Sequence, residues 1–102
     1  MAGMTEAGEV IDNTAQTRFE LRIGGALAEL VYRRRADRLV LVHTEVPDEL
    51  SGRGVGGHLV QAALAKAAVE NLTVVPLCPF ARGWLERHPD AAHSIRIDWE
   101  SR

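Results

Sequence analysis

A chain of 102 residues, 46 % hydrophobic and 25 % charged, has room for one small packed core and one site, and is too apolar to be disordered. Its single cysteine, Cys78, excludes a disulfide framework and a cysteine-built zinc cluster. The formal net charge of −2 argues against gripping nucleic acid as the main task, and no run approaches the roughly 18 apolar residues of a membrane helix, so a cytoplasmic protein is expected.

Residues 1–9 are small, polar and glycine-containing and read as a flexible leader without the apolar stretch of a signal peptide; residues 10–102 are expected to form the single domain. From Thr17, Arg18, Glu20 and Arg22 alternate with Phe19, Leu21 and Ile23, the period of a strand with one wet face. Gly24-Gly25 turns the chain into a second strand over Ala26 to Arg34, and Ala36-Asp37 turns it again into a third over Arg38 to Val46. Short links predict an antiparallel meander.

After Pro47 the pattern changes to a glycine-rich turn and a helix. Val55, Leu59, Val60, Ala63, Leu64, Ala67 and Ala68 recur at helical spacing, and the helix is expected to end near Asn71. Leu72 to Leu77 is an apolar run of strand length, which after a helical crossover should lie parallel to the third strand. Pro79 suits the first turn of a second helix that stops at Arg87, ahead of Pro89. Ser94 to Trp99 fits either a last short strand or an ordered tail. The class is α+β, with a mixed, mainly antiparallel sheet and two helices.

The stretch Ser51-Gly52-Arg53-Gly54-Val55-Gly56-Gly57 carries the most chemistry. Four glycines among six residues let backbone N–H groups converge on an anion, and the helix that follows adds its positive end. A nucleotide P-loop is excluded because the loop continues Gly57-His58-Leu59 instead of Lys-Ser/Thr. A dinucleotide fingerprint is matched in spacing by Gly52, Gly54 and Gly57, but the expected acidic residue is missing where the next strand ends, at Leu77-Cys78. A coenzyme A diphosphate is the third candidate.

On that loop the chain resembles the GNAT (GCN5-related N-acetyltransferase) superfamily, with Ser51 standing where Gln or Arg is usual. It is also similar to the superfamily's minimal acetyltransferases in Arg18-Phe19-Glu20-Leu21, His43-Thr44-Glu45-Val46-Pro47, Gly52-Arg53-Gly54-Val55-Gly56, Val74-Val75-Pro76-Leu77-Cys78-Pro79-Phe80 and His88-Pro89. The resemblance implies a truncated, minimal GNAT-like fold that lacks the usual acceptor-side elements and whose two parallel strands splay around the pantetheine arm. It further implies phosphate contacts at Arg53, Gly54, Val55, Gly56 and Gly57, a backbone bond from Val46 to the arm, and Cys78 beside the acetyl thioester.

Cys78 falls where a strand ends and a helix starts, and a helix N-terminus favours negative charge, the condition for a nucleophilic sulfur. Direct transfer would need only a base for the incoming amine, and Glu45 or His43 fits that task. The expected reaction is acetyl transfer from acetyl-CoA to a primary amine, small or on a protein tail, by a monomer or weak homodimer. The alternatives are a non-catalytic module that binds or senses CoA or acyl-CoA, and an interaction protein whose glycine loop is structural. Against each candidate stands a plainer role: Cys78 as a small core residue, Glu45 and His43 as surface groups, Trp84 as packing, and Arg33, Arg34, Arg35 and Arg38 as a solvated hairpin tip. Four histidines without ligand spacing predict no metal, and neither nucleic acid nor membrane is expected as a partner.

Overall fold

The computed structural model describes residues 4–5 and 8–100. Met4–Thr5 (β1) and Gly8–Glu9 (β2) pair as a small antiparallel ladder, and the rest of the predicted leader lies outside the described residues. Ile11–Asn13 (β3), Arg18–Ile23 (β4), Ala26–Arg35 (β5) and Arg38–Glu45 (β6) form the expected meander with one strand more at its start. Val55–Glu70 (α1) crosses over to Thr73–Pro76 (β7), which pairs parallel with β6 and completes a five-stranded sheet in chain order. Pro79–Arg87 (α2) and the four-residue Pro89–Ala92 (α3) follow.

Two helices were expected, and the described residues form three α-helices. Pro89 ends α2 but also starts α3, because the first helical position needs no N–H and matches proline's fixed φ.

The apolar half of each alternation makes the core. Phe19 and Leu21 of β4, Ala28, Leu30 and Tyr32 of β5, and Leu39 and Leu41 of β6 are all buried. Leu59, Val60, Ala63 and Ala67 of α1 close over them, and each large aliphatic side chain so buried contributes about 1.5–3 kcal/mol. Asn71 stops α1 in the left-handed conformation at φ +57°, its N–H bonded to the Ala67 carbonyl. At the far edge, Val74 donates to the Arg96 carbonyl (2.9 Å) and accepts from Asp98 (2.8 Å), so residues 96–98 add a short parallel bridge beside β7. Arg82 donates to the Trp99 carbonyl at 2.7 Å and lies over its indole, which accounts for that tryptophan. Among the described residues no helix is long and apolar enough to cross a membrane.

The predicted wet face of β4 is less wet than its sequence suggests. β3 flanks Glu20, and Glu20 accepts hydrogen bonds from Arg18 Nε (2.5 Å) and Asn13 Nδ2 (3.0 Å); its burial is tolerable because both partners are in place. The Arg18 guanidinium first, then the Asn13 amide, hold the Glu20 carboxyl below its ordinary range.

A second polar cluster ties three elements together. Tyr32 donates its hydroxyl to Asp12 Oδ1 (2.6 Å), and Lys66 donates to Asp12 Oδ2 (2.8 Å), linking β5, β3 and α1. Burial pushes the Tyr32 phenol from 10 up to about 12, with the Asp12 hydrogen bond adding to it. Because the folded state holds this proton more tightly than the unfolded chain, the stabilisation is complete below pH 10 and declines as pH rises towards about 12. Tyr32 is the single tyrosine, so an ultraviolet tyrosinate titration reads it directly. The midpoint is expected near 12, and a midpoint at 10 would contradict the buried network.

Candidate active site

The parallel pair β6–β7 is in register from Arg38↔Thr73 to Leu41↔Pro76 and then parts. The Leu41 carbonyl accepts the last two N–H groups, from Leu77 (3.1 Å) and Cys78 (2.9 Å), before Pro79 turns the chain into α2. Beyond that point β6 runs on towards Pro47 paired with β5 and no longer with β7. The opening leads into a cleft of about 490 Å³, bounded by Thr44 and Val46, the glycine turn, the first turns of α1, and Phe80, Trp84 and His88 along α2.

One irregularity decides which β6 side chains reach this cleft. β5 and β6 pair as Leu30↔Thr44 and Val31↔His43, then shift to Tyr32↔Leu41, leaving Val42 as a bulge. A bulge reverses the alternation that follows it. Regular pleating would place His43 and Glu45 on the same face as the buried Leu39 and Leu41. With the extra residue, Thr44 and Val46 take the cleft side instead. His43 and Glu45 stand on the opposite face, largely exposed and joined to each other, Nε2 to Oε1, at 3.1 Å.

The glycine turn divides into two pairs with different physical tasks. Gly52 (φ +80°) and Gly54 (φ +73°) occupy left-handed backbone, which costs a residue with a Cβ about 1–2 kcal/mol. Gly56 and Gly57 are helical and serve close approach: a Cβ on Gly56 would lie 2.5 Å from the Phe80 ring, and one on Gly57 2.6 Å from Trp84 Nε1. Half of the glycine excess is therefore packing of α1 against α2, which the loop pattern alone does not reveal.

Gly54 is also the N-cap of α1, and it has no side chain with which to cap. The first intrahelical bond runs from His58 N to Gly54 O, so the N–H groups of Val55, Gly56 and Gly57 have no acceptor within the helix. These three amides, the helix dipole, the absence of acidic residues in the first turn and the exposed Arg53 beside them fit a diphosphate. Open space around Gly52 and Gly54 leaves room for it.

Cys78 lies behind the cleft-lining Thr44. It is 2 % exposed, it is the N-cap of α2, and its Sγ is 3.0 Å from Thr44 Oγ1. His88 closes the far end of α2, stacked on Trp84 at 4.1 Å between centroids, with Nδ1 2.8 Å from the Trp84 carbonyl. A carbonyl only accepts, so Nδ1 carries a proton and Nε2 is left free.

The structure thus brings Val46, Gly54, Val55, Gly56 and Gly57 of the predicted site to one cleft, with Arg53 in the same turn and Cys78 touching a cleft residue. It keeps His43 and Glu45 outside it. Thr44 was not singled out from the sequence, and nothing short of the bulge could have done so. The arginine cluster sits at the opposite end of β6, about 20 Å away by strand length. There Arg34 pairs with Glu70 and Arg38 with Asp98, so both serve the scaffold. Among the described residues no three His, Cys, Asp or Glu side chains gather to hold a metal ion.

A profile of the GCN5-related N-acetyl-transferase family matches residues 18–94, from β4 to just past α3. The chain belongs to that family. Chicken (Gallus gallus) Protein NATD1 is 33 % identical over 93 residues, covering 85 % of this chain and 84 % of that protein. Mouse (Mus musculus) Protein NATD1 is 36 % identical over 74 residues, covering 70 % and 67 %. The solution structure of a GCN5-like protein from Staphylococcus aureus superimposes with a TM-score of 0.70 at 28 % identity, over 100 % of this chain and 97 % of that one. The family resemblance and the mixed, mainly antiparallel fold expected from the sequence are both borne out. β3 and the residue 96–98 edge lie outside the segment that the profile matches.

Proposed function

We propose that this protein is an acetyl-CoA-dependent N-acetyltransferase that moves an acetyl group to a primary amine, small or on a protein tail, by way of Cys78. One observation carries the reading: three unpaired helix-start amides and Thr44, which touches the Cys78 sulfur, border a single cleft at a strand splay. Acetyl-CoA supplies an acetyl group already activated as a thioester. The amides of Val55, Gly56 and Gly57, with Arg53, would hold its diphosphate, and the Val46 backbone would orient the arm towards Cys78. The Cys78 sulfur would accept the acetyl group as the carrier leaves as its thiol; the amine nitrogen would then form the amide bond, losing a proton to solvent and releasing the Cys78 sulfur.

A second reading is direct transfer with the His43–Glu45 pair as base. It has the hydrogen bond between these two groups in its favour and their place outside the cleft, on the opposite face of β6, against it. A third is a sensor that holds acyl-CoA without turnover.

Calorimetry with acetyl-CoA tests the cradle. Arg53→Glu puts a like charge beside the phosphates and is expected to weaken binding about tenfold, since one hydrogen bond to a charged group contributes about 1.5–3 kcal/mol. Absence of binding by the unmodified protein would end the cofactor assignment. Free-thiol release with a panel of amines separates enzyme from sensor, and binding without acetylated product from any amine would favour the sensor.

A further inference from the structure

We propose that Thr44 is the positioning residue for Cys78: its hydroxyl holds the sulfur directly behind the cleft wall that Thr44 itself lines, and hydrogen-bonds it during acetyl transfer. The inference rests on the reading of Cys78 as acetyl carrier and says which group makes that sulfur reactive.

Cys78 is buried, and the polar side chain in contact with it is Thr44, Oγ1 to Sγ at 3.0 Å. The two groups with obvious basicity, His43 and Glu45, face away across the strand and bond each other. The register shift at Val42 is what turns the Thr44 hydroxyl towards Cys78. The backbone contributes as well, since Cys78 N is anchored to the Leu41 carbonyl and its Cα sits at the start of α2. Main chain and hydroxyl therefore restrain the sulfur from two sides.

In the thiol form either group can donate to the other across the 3.0 Å contact. When the sulfur gives up its proton to solvent, the threonine O–H donates to it, a role open to a hydroxyl and closed to a methyl group. The Cys78 sulfur then attacks the acetyl carbonyl carbon. One S–C bond forms while the carbonyl–sulfur bond to the carrier breaks, and the carrier leaves as a thiolate that takes a proton from solvent. No oxidation or reduction is involved.

Thr44→Val keeps the shape and removes the hydroxyl; Thr44→Ser keeps the hydroxyl. Two rates are measured on the whole protein: formation of the Cys78 acetyl adduct from acetyl-CoA, by intact mass, and alkylation of Cys78 by iodoacetamide. Thr44→Val is expected to slow both about ten- to hundredfold, with the dissociation constant for acetyl-CoA within about twofold of the unmodified protein, so that kcat falls and KM does not. Thr44→Ser is expected to restore both rates to within about threefold. Alkylation of the valine variant at the unmodified rate would overturn the proposal, as would a serine variant no better than valine. Alkylation that depends on Thr44, without any acetyl adduct in the unmodified protein, supports the hold of Thr44 on the sulfur and removes Cys78 as acetyl carrier, so the two readings fail separately.

Discussion

Cys78→Ala is expected to abolish the protein-bound acetyl adduct and to lower acetyl transfer at least a hundredfold, while acetyl-CoA binding changes by no more than about twofold. The expectation follows from the separation of tasks along the cleft. Binding is assigned to amides at the start of α1, which the substitution does not touch; bond exchange is assigned to a sulfur at the start of α2. Loss of a buried sulfur atom also removes some packing, but Cys78 is small and alanine is the nearest apolar replacement, so the fold should survive. Intact mass after incubation with acetyl-CoA, together with calorimetry, checks both halves. If Cys78→Ala transfers acetyl at the unmodified rate, the covalent route is excluded and the His43–Glu45 pair becomes the better candidate. In that event His43→Ala and Glu45→Gln should carry the loss.

Gly57→Ala is expected to cost a net 1–2 kcal/mol or so of stability, a fall in Tm of roughly 5–15 °C. The added methyl would lie 2.6 Å from Trp84 Nε1, and this indole is held in place: it is 7 % exposed and stacked on His88. Overpacking of that kind costs about 1–3 kcal/mol, and the better helix propensity of alanine returns no more than about 1 kcal/mol. Gly56→Ala makes the useful contrast. Its methyl would approach the Phe80 ring at 2.5 Å, yet Phe80 is 40 % exposed and can swing outward, so the loss should be smaller. Thermal unfolding of Gly57→Ala with Trp84 intact and with Trp84→Phe forms a double-mutant cycle. The phenyl ring lacks the offending nitrogen, so the loss should shrink in that background. An equal loss in both backgrounds would show that the α1–α2 wedge is not the cause. The same substitution should weaken acetyl-CoA binding, because moving α1 away from α2 moves the amides of Val55 and Gly56 with it.

Much of the molecule was readable from neighbours along the chain. The bounds of α1 and α2 followed from periodicity, from Pro79 and Pro89, and from Asn71, because a helix closes its own hydrogen bonds within a few residues. β4, β5 and β6 followed from alternation and short turns, and the parallel placement of β7 from the length of the crossover. The glycines alone marked the loop before α1 as the candidate anion cradle. β3 was missed because Ile11-Asp12-Asn13 is too short and too polar to show a period; it is a strand because β4 offers an edge and because Asp12 and Asn13 find Lys66, Tyr32 and Glu20. Edge residues 96–98 stayed ambiguous for the same reason.

By itself the amino-acid order determined the meander, the crossover, the glycine turn and the presence of a thiol at a strand end, since each depends on local pattern. Which side of β6 meets that thiol was decided by the tertiary structure. The His43-Thr44-Glu45 triplet looks like two titratable groups flanking an inert one, and a straight strand would have aimed the outer two at the cleft. A bulge exists only relative to a partner strand: Val42 is extra because β5 supplies one residue fewer in that interval, and that count turns Thr44 inward and His43 and Glu45 out.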